Sequence, residues 1–435
     1  MKTLIRLLFL AVLLFACPAF ALEDVYYSVC PFGTGDIKID DGTITCTISS
    51  GVMTVSDAQT GNIGQGCRIT YDTNKVCYIS AVNSAASFDV VTALGAAAAD
   101  EGVAVDVESI AHEYDSLSAA EAGFTDADHV NNTDLTSADV IANLVCYYDH
   151  DDYTASGNVT IDFGTDDSTR YVHIYSANGG TQSIKNNRHS GIWDDNKFKI
   201  VANGTAITSL EDYTHITGIQ CKNTSTAGNR NVISLRGVTN TGVNVVDKCI
   251  ITDTTPASST ARNGISIDGQ SGANISNTVI YNFSYDGSSY GINKPYGARN
   301  TINITNCTIY DAYTGIYIDA NSTVTVKNTA VFNCSDDFSG TISTIDYCAS
   351  DDGDGSNPQT LVSTSDYAAE FTDVTTCDFT LISGGVCVDN GTNTGAPSDD
   401  IIGTSRPQNT TTDIGAFEYI SGSPATPTNF QIIFF

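Results

Sequence analysis

From about residue 200 onward the apolar positions of the chain recur in a fixed frame. Five segments align without gaps, at 216–223, 246–253, 275–282, 304–311 and 326–333, and their starts lie 30, 29, 29 and 22 residues apart. The first position is always Ile or Val, the sixth is Cys, Ile or Val, and the eighth is Asn or Asp. A second apolar run recurs between them, at 232–236, 264–268, 291–295 and 315–319. Within it Ile265 and Ile267 alternate with polar neighbours, the period of a strand. Two short strands per repeat, each repeat closed by a turn residue, predict stacked coils of parallel strands, because one coil cannot bury its apolar face alone. The Asn/Asp column is expected at a turn, where such side chains bond the backbone and tolerate left-handed φ.

The N-terminal part has a different rhythm. Short strands at 37–39, 43–48, 52–55, 68–71, 76–81 and 88–91 alternate with Gly and Asn turns. With Cys30, Cys46, Cys67 and Cys77 among them, this stretch reads as a small β module pinned by one or two disulfides, or as the first of the stacked coils. Ser118-Ala119-Ala120-Glu121 has the form of a capping box, and with 126–141 it predicts a helical cap over one end of the coils. The expected division is a leader at 1–21, a β module at 22–112, a helical cap or linker at 113–145, coils at 146–420, and a Pro/Ser linker or tail at 421–435.

Lys2 and Arg6 precede the apolar run 7–16, and Ala19-Phe20-Ala21 supplies small residues for cleavage, so the chain is expected to be exported. The run is too short to span a bilayer, and no transmembrane helix is expected. Leu14-Phe15-Ala16-Cys17 also reads as a lipoprotein box, which would leave the protein lipid-anchored through Cys17. Of 13 cysteines one lies in the leader, and an even number in an oxidising compartment predicts disulfides. No CxxC spacing occurs, so metal–thiolate chemistry is not expected.

Charge narrows the partners. Against 19 Lys and Arg stand 50 acidic residues, a net charge of -31, which excludes nucleic acid as a ligand. Only 8 of those acids are Glu and 42 are Asp, the turn former, which fits an all-β chain. The Asn-x-Ser/Thr sites, such as those at Asn203, Asn282 and Asn321, follow the same turn composition.

The repeats resemble the right-handed parallel β-helix of the pectate-lyase-like superfamily. Residues 199–219, KIVANGTAITSLEDYTHITGI, are similar to the start of that helix in many secreted bacterial and phage-associated proteins. Arg406-Pro407 followed by DIGAFEY at 413–419 resembles the closing motif of bacterial choice-of-anchor Q β-helix proteins. The resemblance implies an all-β solenoid with a short capping helix and a small N-terminal β module, secreted or displayed at a bacterial cell surface. It does not choose an activity, since the superfamily holds lyases, hydrolases, adhesins and tail spikes.

Three constellations are candidates for chemistry. On the second strand of the repeat, Arg236, Asp268, Pro295 and Asp319 form an outward column beside Ser234, Ser266, Asn293 and Tyr317. Asp268 and Asp319, two coils apart, would stand roughly 9.6 Å from each other, at the upper edge of the roughly 6.5–9.5 Å used by inverting glycosidases. Arg236 would neighbour Asp268, and Tyr317 and Asn293 would contact a sugar; the bland alternative is a solvated strand edge. Asp351, Asp352 and Asp354 crowd oxygens into a turn as calcium prefers, though without EF-hand spacing. Trp193 sits in a loop with His189, Asp194 and Asp195, where it would stack on a ring or anchor the loop. The Gly-His-Gly of polygalacturonases is absent, as are P-loop, HExxH and GxSxG motifs. The expected function is binding of polysaccharide or a cell-surface glycan along a lateral face. The alternatives are a polysaccharide lyase or inverting glycoside hydrolase of the same fold, and a non-catalytic structural or adhesive rod.

Overall fold

Each repeat lays one strand in each of three parallel sheets. The computed structural model describes residues 22–421 except 32–34, 39–43, 150–158, 226–227, 255–260, 296–299 and 320–321. The expected leader with Cys17, Ile39, the sequon at Asn321 and the expected tail from 422 lie outside the described residues. Sheet I has nine strands, beginning Glu23–Val29, Val140–Cys146, Val172–Ser176, Thr214–Thr217 and continuing to Thr344–Asp346. Sheet II has eight, from Lys199–Ala202 to Gln359–Thr360, and sheet III has seven, from Val159–Ile161 to Asp336–Gly340. The chain visits I, II and III in turn and returns to I, an all-β arrangement of long parallel sheets compatible with a parallel β-helix.

The first and sixth positions of the repeat are the inward columns of sheets I and II. In sheet I, Ile216, Val246, Ile275, Ile304 and Val326 are in register. In sheet II, Cys221, Ile251, Ile280, Ile309 and Val331 are. Ile233, Ile265, Ile292 and Ile316 do the same in sheet III. All are at most 1% exposed, and each buried Ile or Val stabilises the stack by about 1.5–3 kcal/mol.

The corner from sheet I to sheet II repeats from coil to coil. Its third-position residue takes a left-handed φ: Gly218 67°, Lys248 55°, Asn277 47°, Asn306 53°, Asn328 48° and Tyr347 54°. Except after Gly218, where Ile219 follows, the next residue turns inward and its side chain donates to the carbonyl two residues back. Cys249 does so to Asp247 at 3.3 Å, Thr278 to Ser276 at 2.7 Å, Cys307 to Thr305 at 3.6 Å and Thr329 to Lys327 at 2.9 Å. The expected disulfides are not formed: all twelve cysteines among the described residues are free. Cys249 and Cys307 have a Thr-bearing coil between them, so they stand roughly 9.6 Å apart, past the roughly 7 Å Cα limit for a bridge. At the eighth position Asn282, Asp311 and Asn333 are left-handed as expected (69°, 56° and 56°). Asn223 and Asp253 are not left-handed and are buried.

The N-terminal strand Glu23–Val29 belongs to sheet I, where it pairs in parallel with Val140–Cys146. Between them lies a closed antiparallel barrel in the order Thr45–Ser49, Val52–Val55, Ser87–Val91, Lys75–Ser84, Arg68–Tyr71 and Glu101–Ala111. The last strand, not anticipated, closes the barrel and removes its edges. Around Ile37, Asp36 forms only an isolated bridge to Ala111. The barrel rests on the outer face of the first coils, where Tyr147 and Tyr175 hydroxyls donate to Gln65 O and Oε1, both at 2.8 Å.

The helical reading of 126–141 is corrected. Helix occupies only Leu117–Gly123 and Leu135–Ala138. The first is capped by Ser116, whose hydroxyl accepts from Ala119 N at 3.1 Å, so Ser118 lies inside it. Asp139, left-handed at φ 58°, ends the second, and the chain at once becomes strand Val140–Cys146. Leu117, Ala120 and Phe124 join the interior core beside Ile161.

Beyond the coils, helix Thr364–Glu370, hairpin Phe371–Asp373 with Asp378–Leu381, and irregular chain to 421 fold back over sheet II. The fifth and seventh repeat positions, Ile250, Val279 and Ala330 with Tyr281 and Phe332, face outward there and are buried beneath Tyr367, Phe371, Phe379 and Phe417. The closing motif holds this cover down. Arg406 pairs with Glu418 at 2.8 Å, the two side chains 0% and 1% exposed, and Ala416 N donates to Thr308 Oγ1 at 2.9 Å. Among the described residues no helix is long and apolar enough to cross a membrane.

Candidate binding groove

Sheet I keeps an open outer face. With Ile216 and its column pointing inward, alternation turns the second repeat position and the residue before the first outward. The second position supplies Thr217, Asp247, Ser276, Thr305 and Lys327; the preceding one supplies His215, Val245, Asn274, Asn303 and Thr325. With His173 they floor a groove of about 680 Å³. Six strands cross it, so its length is roughly 24 Å. One wall is Gly395, Ala396 and Pro397 from the C-terminal segment. That wall is tied to the corner residues: Lys248 Nζ meets Asp399 at 2.5 Å, and Asn328 Nδ2 donates to Thr392 O at 2.8 Å while its Oδ1 accepts Thr392 N at 2.8 Å.

The floor is polar and almost electrically balanced. Asn303 Nδ2 donates to Asn274 Oδ1 at 2.9 Å, forming an amide ladder at mid-groove. Asp247 accepts from Ser276 Oγ at 2.7 Å and Asn277 Nδ2 at 3.0 Å. At the barrel end Tyr171 stacks on His215 with centroids 3.9 Å apart, and His173 Nε2 lies 3.1 Å from Thr217 Oγ1. Burial lowers His215 to about 4, and burial with the neighbouring His215 lowers His173 to about 3, so both rings are neutral at pH 7. Asp247 and Lys327, the floor's carboxylate and ammonium, are three strands apart, roughly 14 Å, too far to act on one bond.

The sheet III column assembles in the expected register, Ser234, Ser266, Asn293 and Tyr317 side by side. Asp268, however, leans toward the preceding coil, accepting from Asn231 Nδ2 at 3.1 Å, Ser234 Oγ at 2.7 Å and Ser266 Oγ at 2.6 Å. This turns it away from Asp319, two coils in the other direction. The ion pairs among the described residues do not join Asp268 to Arg236, which is exposed. Asn293 is 5% exposed and Tyr317 stacks on Tyr290 with centroids 4.8 Å apart. Beside them Lys294, at an inward position, is buried and donates to Gly269 O at 2.8 Å.

Trp193 is half-buried against the sheet II cover, its Nε1 donating to Asp195 at 2.9 Å and Lys222 Nζ lying 4.0 Å from its ring centroid. His189 is buried, donating from Nε2 to Lys248 O and accepting Gly191 N at Nδ1, both at 3.0 Å, which occupies both nitrogens. In the acidic loop, Asp351 N donates to the buried Asp337 at 2.7 Å, and burial together with Asp352 raises Asp354 to about 6. Among the described residues, two groups bring three His, Cys or Asp ligand atoms within 4.8 Å; neither contains Asp351, Asp352 or Asp354. A recess at the buried Arg262–Asp253 pair, 3.0 Å, has room for about one water at roughly 20 Å³.

The sequence signal for the groove was the second repeat position, polar in all five repeats. Its wall, supplied from beyond the repeats, carries no such signal. No family model, curated protein or solved structure matches the chain.

Proposed function

We propose that this is an exported right-handed parallel β-helix of the pectate-lyase-like kind, ending in a choice-of-anchor Q-like motif, that binds a neutral linear glycan at a bacterial surface along the sheet I groove. The observation that carries the reading is the groove itself: roughly 24 Å long, floored by rows of Thr, Ser and Asn with an aromatic and imidazole plate at one end. A sugar chain offers hydroxyls at regular intervals, which such rows can match. Neutrality follows from a net charge of -31, which repels polyanions, and from a floor holding one carboxylate and one ammonium. Binding is favoured over cleavage because Asp247 and Lys327 are too far apart and Asp268 is turned from Asp319.

The test is titration of neutral and uronic oligosaccharides against wild type, Asn274→Ala/Asn303→Ala and Asp268→Asn/Asp319→Asn. The reading expects neutral chains to bind, with little dependence on salt, and the groove double variant to lose about 10-fold in affinity, near 1.4 kcal/mol. New reducing ends, or a loss confined to the Asp268/Asp319 variant, would overturn it in favour of an enzyme. Absence of any glycan binding would leave the structural rod.

A further inference from the structure

We propose that Cys30, His112 and Asp149 bind one zinc ion, or a similar divalent transition-metal ion, that fastens the barrel to the first coil. The three residues are distant in sequence but meet where the two bodies join. Cys30 follows the sheet I strand Glu23–Val29, and Asp149 lies three residues past its partner strand Val140–Cys146. Parallel pairing of Val29 with Cys146 brings those two strand ends level. His112 arrives from the barrel's closing strand Glu101–Ala111, held there because Tyr114 N donates to Ser28 O at 3.0 Å and Cys30 N to Tyr114 O at 2.9 Å.

The donor atoms of the three side chains lie within 4.8 Å of one another. His112 Nε2 and Asp149 Oδ2 are 3.1 Å apart, near the roughly 3.3 Å edge of a tetrahedron whose metal bonds are about 2.0–2.1 Å. The other ring nitrogen, Nδ1, lies 3.6 Å from Cys67 Sγ, which itself accepts Gly64 N at 3.4 Å. An orienting partner on the second nitrogen is the usual setting of a metal-binding histidine. Cys30 and His112 are buried, whereas the Asp149 side chain is 24% exposed, so the site is closed toward the protein with an entry path at the carboxylate.

A thiolate, an imidazole and a carboxylate are a mixed donor set that suits zinc and not calcium or magnesium, which take oxygen. Cys67, His112 and Asp149 also lie in the order of a nucleophile, base and orienting acid. Cys67 is 0% exposed, however, and no substrate reaches it.

The test uses the full chain, reduced and stripped with chelator, titrated with cobalt(II) and then with zinc. One cobalt per chain with a thiolate charge-transfer absorption, displaced by one equivalent of zinc, is expected. Cys30→Ser should lose the absorption and Cys67→Ser keep it. Asp149→Asn should keep it but bind zinc at least about 10-fold more weakly. Zinc should raise the melting temperature of the wild type. Absence of the absorption in the wild type, its survival in Cys30→Ser, or its loss in Cys67→Ser would overturn the assignment. Because the first of these is read on the unmodified protein, a variant that fails to fold does not blunt the test.

Discussion

Sheets I and II are wound from the same eight-residue segments, yet their outer faces have opposite fates. On sheet I the outward positions are Thr217, Asp247, Ser276, Thr305 and Lys327, and the face stays open as a groove. On sheet II they include Ile250, Val279, Ala330, Tyr281 and Phe332, and the C-terminal segment covers them. The inward columns are alike on both. The apolar burial that drives stacking is therefore supplied by the inward columns, and what each face becomes is decided by the outward residues.

If that division is right, damage to the cover should be far more costly than damage to the groove. Arg406→Ala leaves Glu418 buried without its partner and removes donors to Asp413 O and Gly415 O. A loss of about 3–5 kcal/mol is expected, seen as a lower urea midpoint in equilibrium unfolding; wild-type stability would mean the cover is not held by this pair.

Acid should separate the two faces by sign. Burial, outweighing the N–H donors of Asp389 and Tyr419, raises Asp413 in the cover to about 7, with Glu418 adding to the rise and Arg406 opposing it. An unfolded Asp titrates near 3.9, so the native state holds this proton more tightly. That contribution to stability is complete below about pH 4 and is lost as pH rises through about 7. His173 and His215 behave oppositely: lowered to about 3 and about 4, they favour the native state above about pH 6.5, and that support fades as pH falls through those values. Hydrogen exchange corrected for intrinsic rates should show the 406–418 cover better protected at pH 5 than at pH 8. The 173–217 strands should be less protected at pH 3.5 than at pH 6.5. Asp413→Asn should flatten the first trend, and one sign for both faces would sink the comparison.

The smallest effect is expected at the groove. Asn303→Ala should change unfolding free energy by no more than about 0.5 kcal/mol, measured by the same denaturant series. A loss near that of Arg406→Ala would make the amide ladder a structural element.

Much of the fold was legible because its inward columns keep a fixed frame within each eight-residue segment. Ile216, Val246, Ile275, Ile304 and Val326 align without gaps, and five barrel strands followed from turns and alternation. The misreadings share a cause, which is meaning supplied by distant chain. Residues 126–141 looked helical, but only Leu135–Ala138 are: 126–134 run as turns and irregular chain, and pairing with Glu23–Val29 draws Val140 and Ile141 into sheet I. The cysteines suggested bridges, yet Cys249 and Cys307 are hydrogen-bond donors at corners, interchangeable with Thr278 and Thr329. The register of Ser234, Ser266, Asn293 and Tyr317 in sheet III was legible, but Asn231 and Ser234 on the preceding coil set the direction of Asp268. The Cys30, His112 and Asp149 grouping was invisible because no local spacing announces it.

The left-handed corner between sheets I and II has a consequence for how such a molecule can change length. Four successive steps of 30, 29, 29 and 22 residues all arrive at that corner in phase, so the slack is taken up in the excursions through sheets II and III. One extra residue between the first and sixth positions would swap inside for outside from that point. A whole added repeat would instead lengthen the groove by one increment of roughly 4.8 Å. The corner thus acts as the escapement of the solenoid: growth proceeds in whole ticks, and the length of the groove is an integer property.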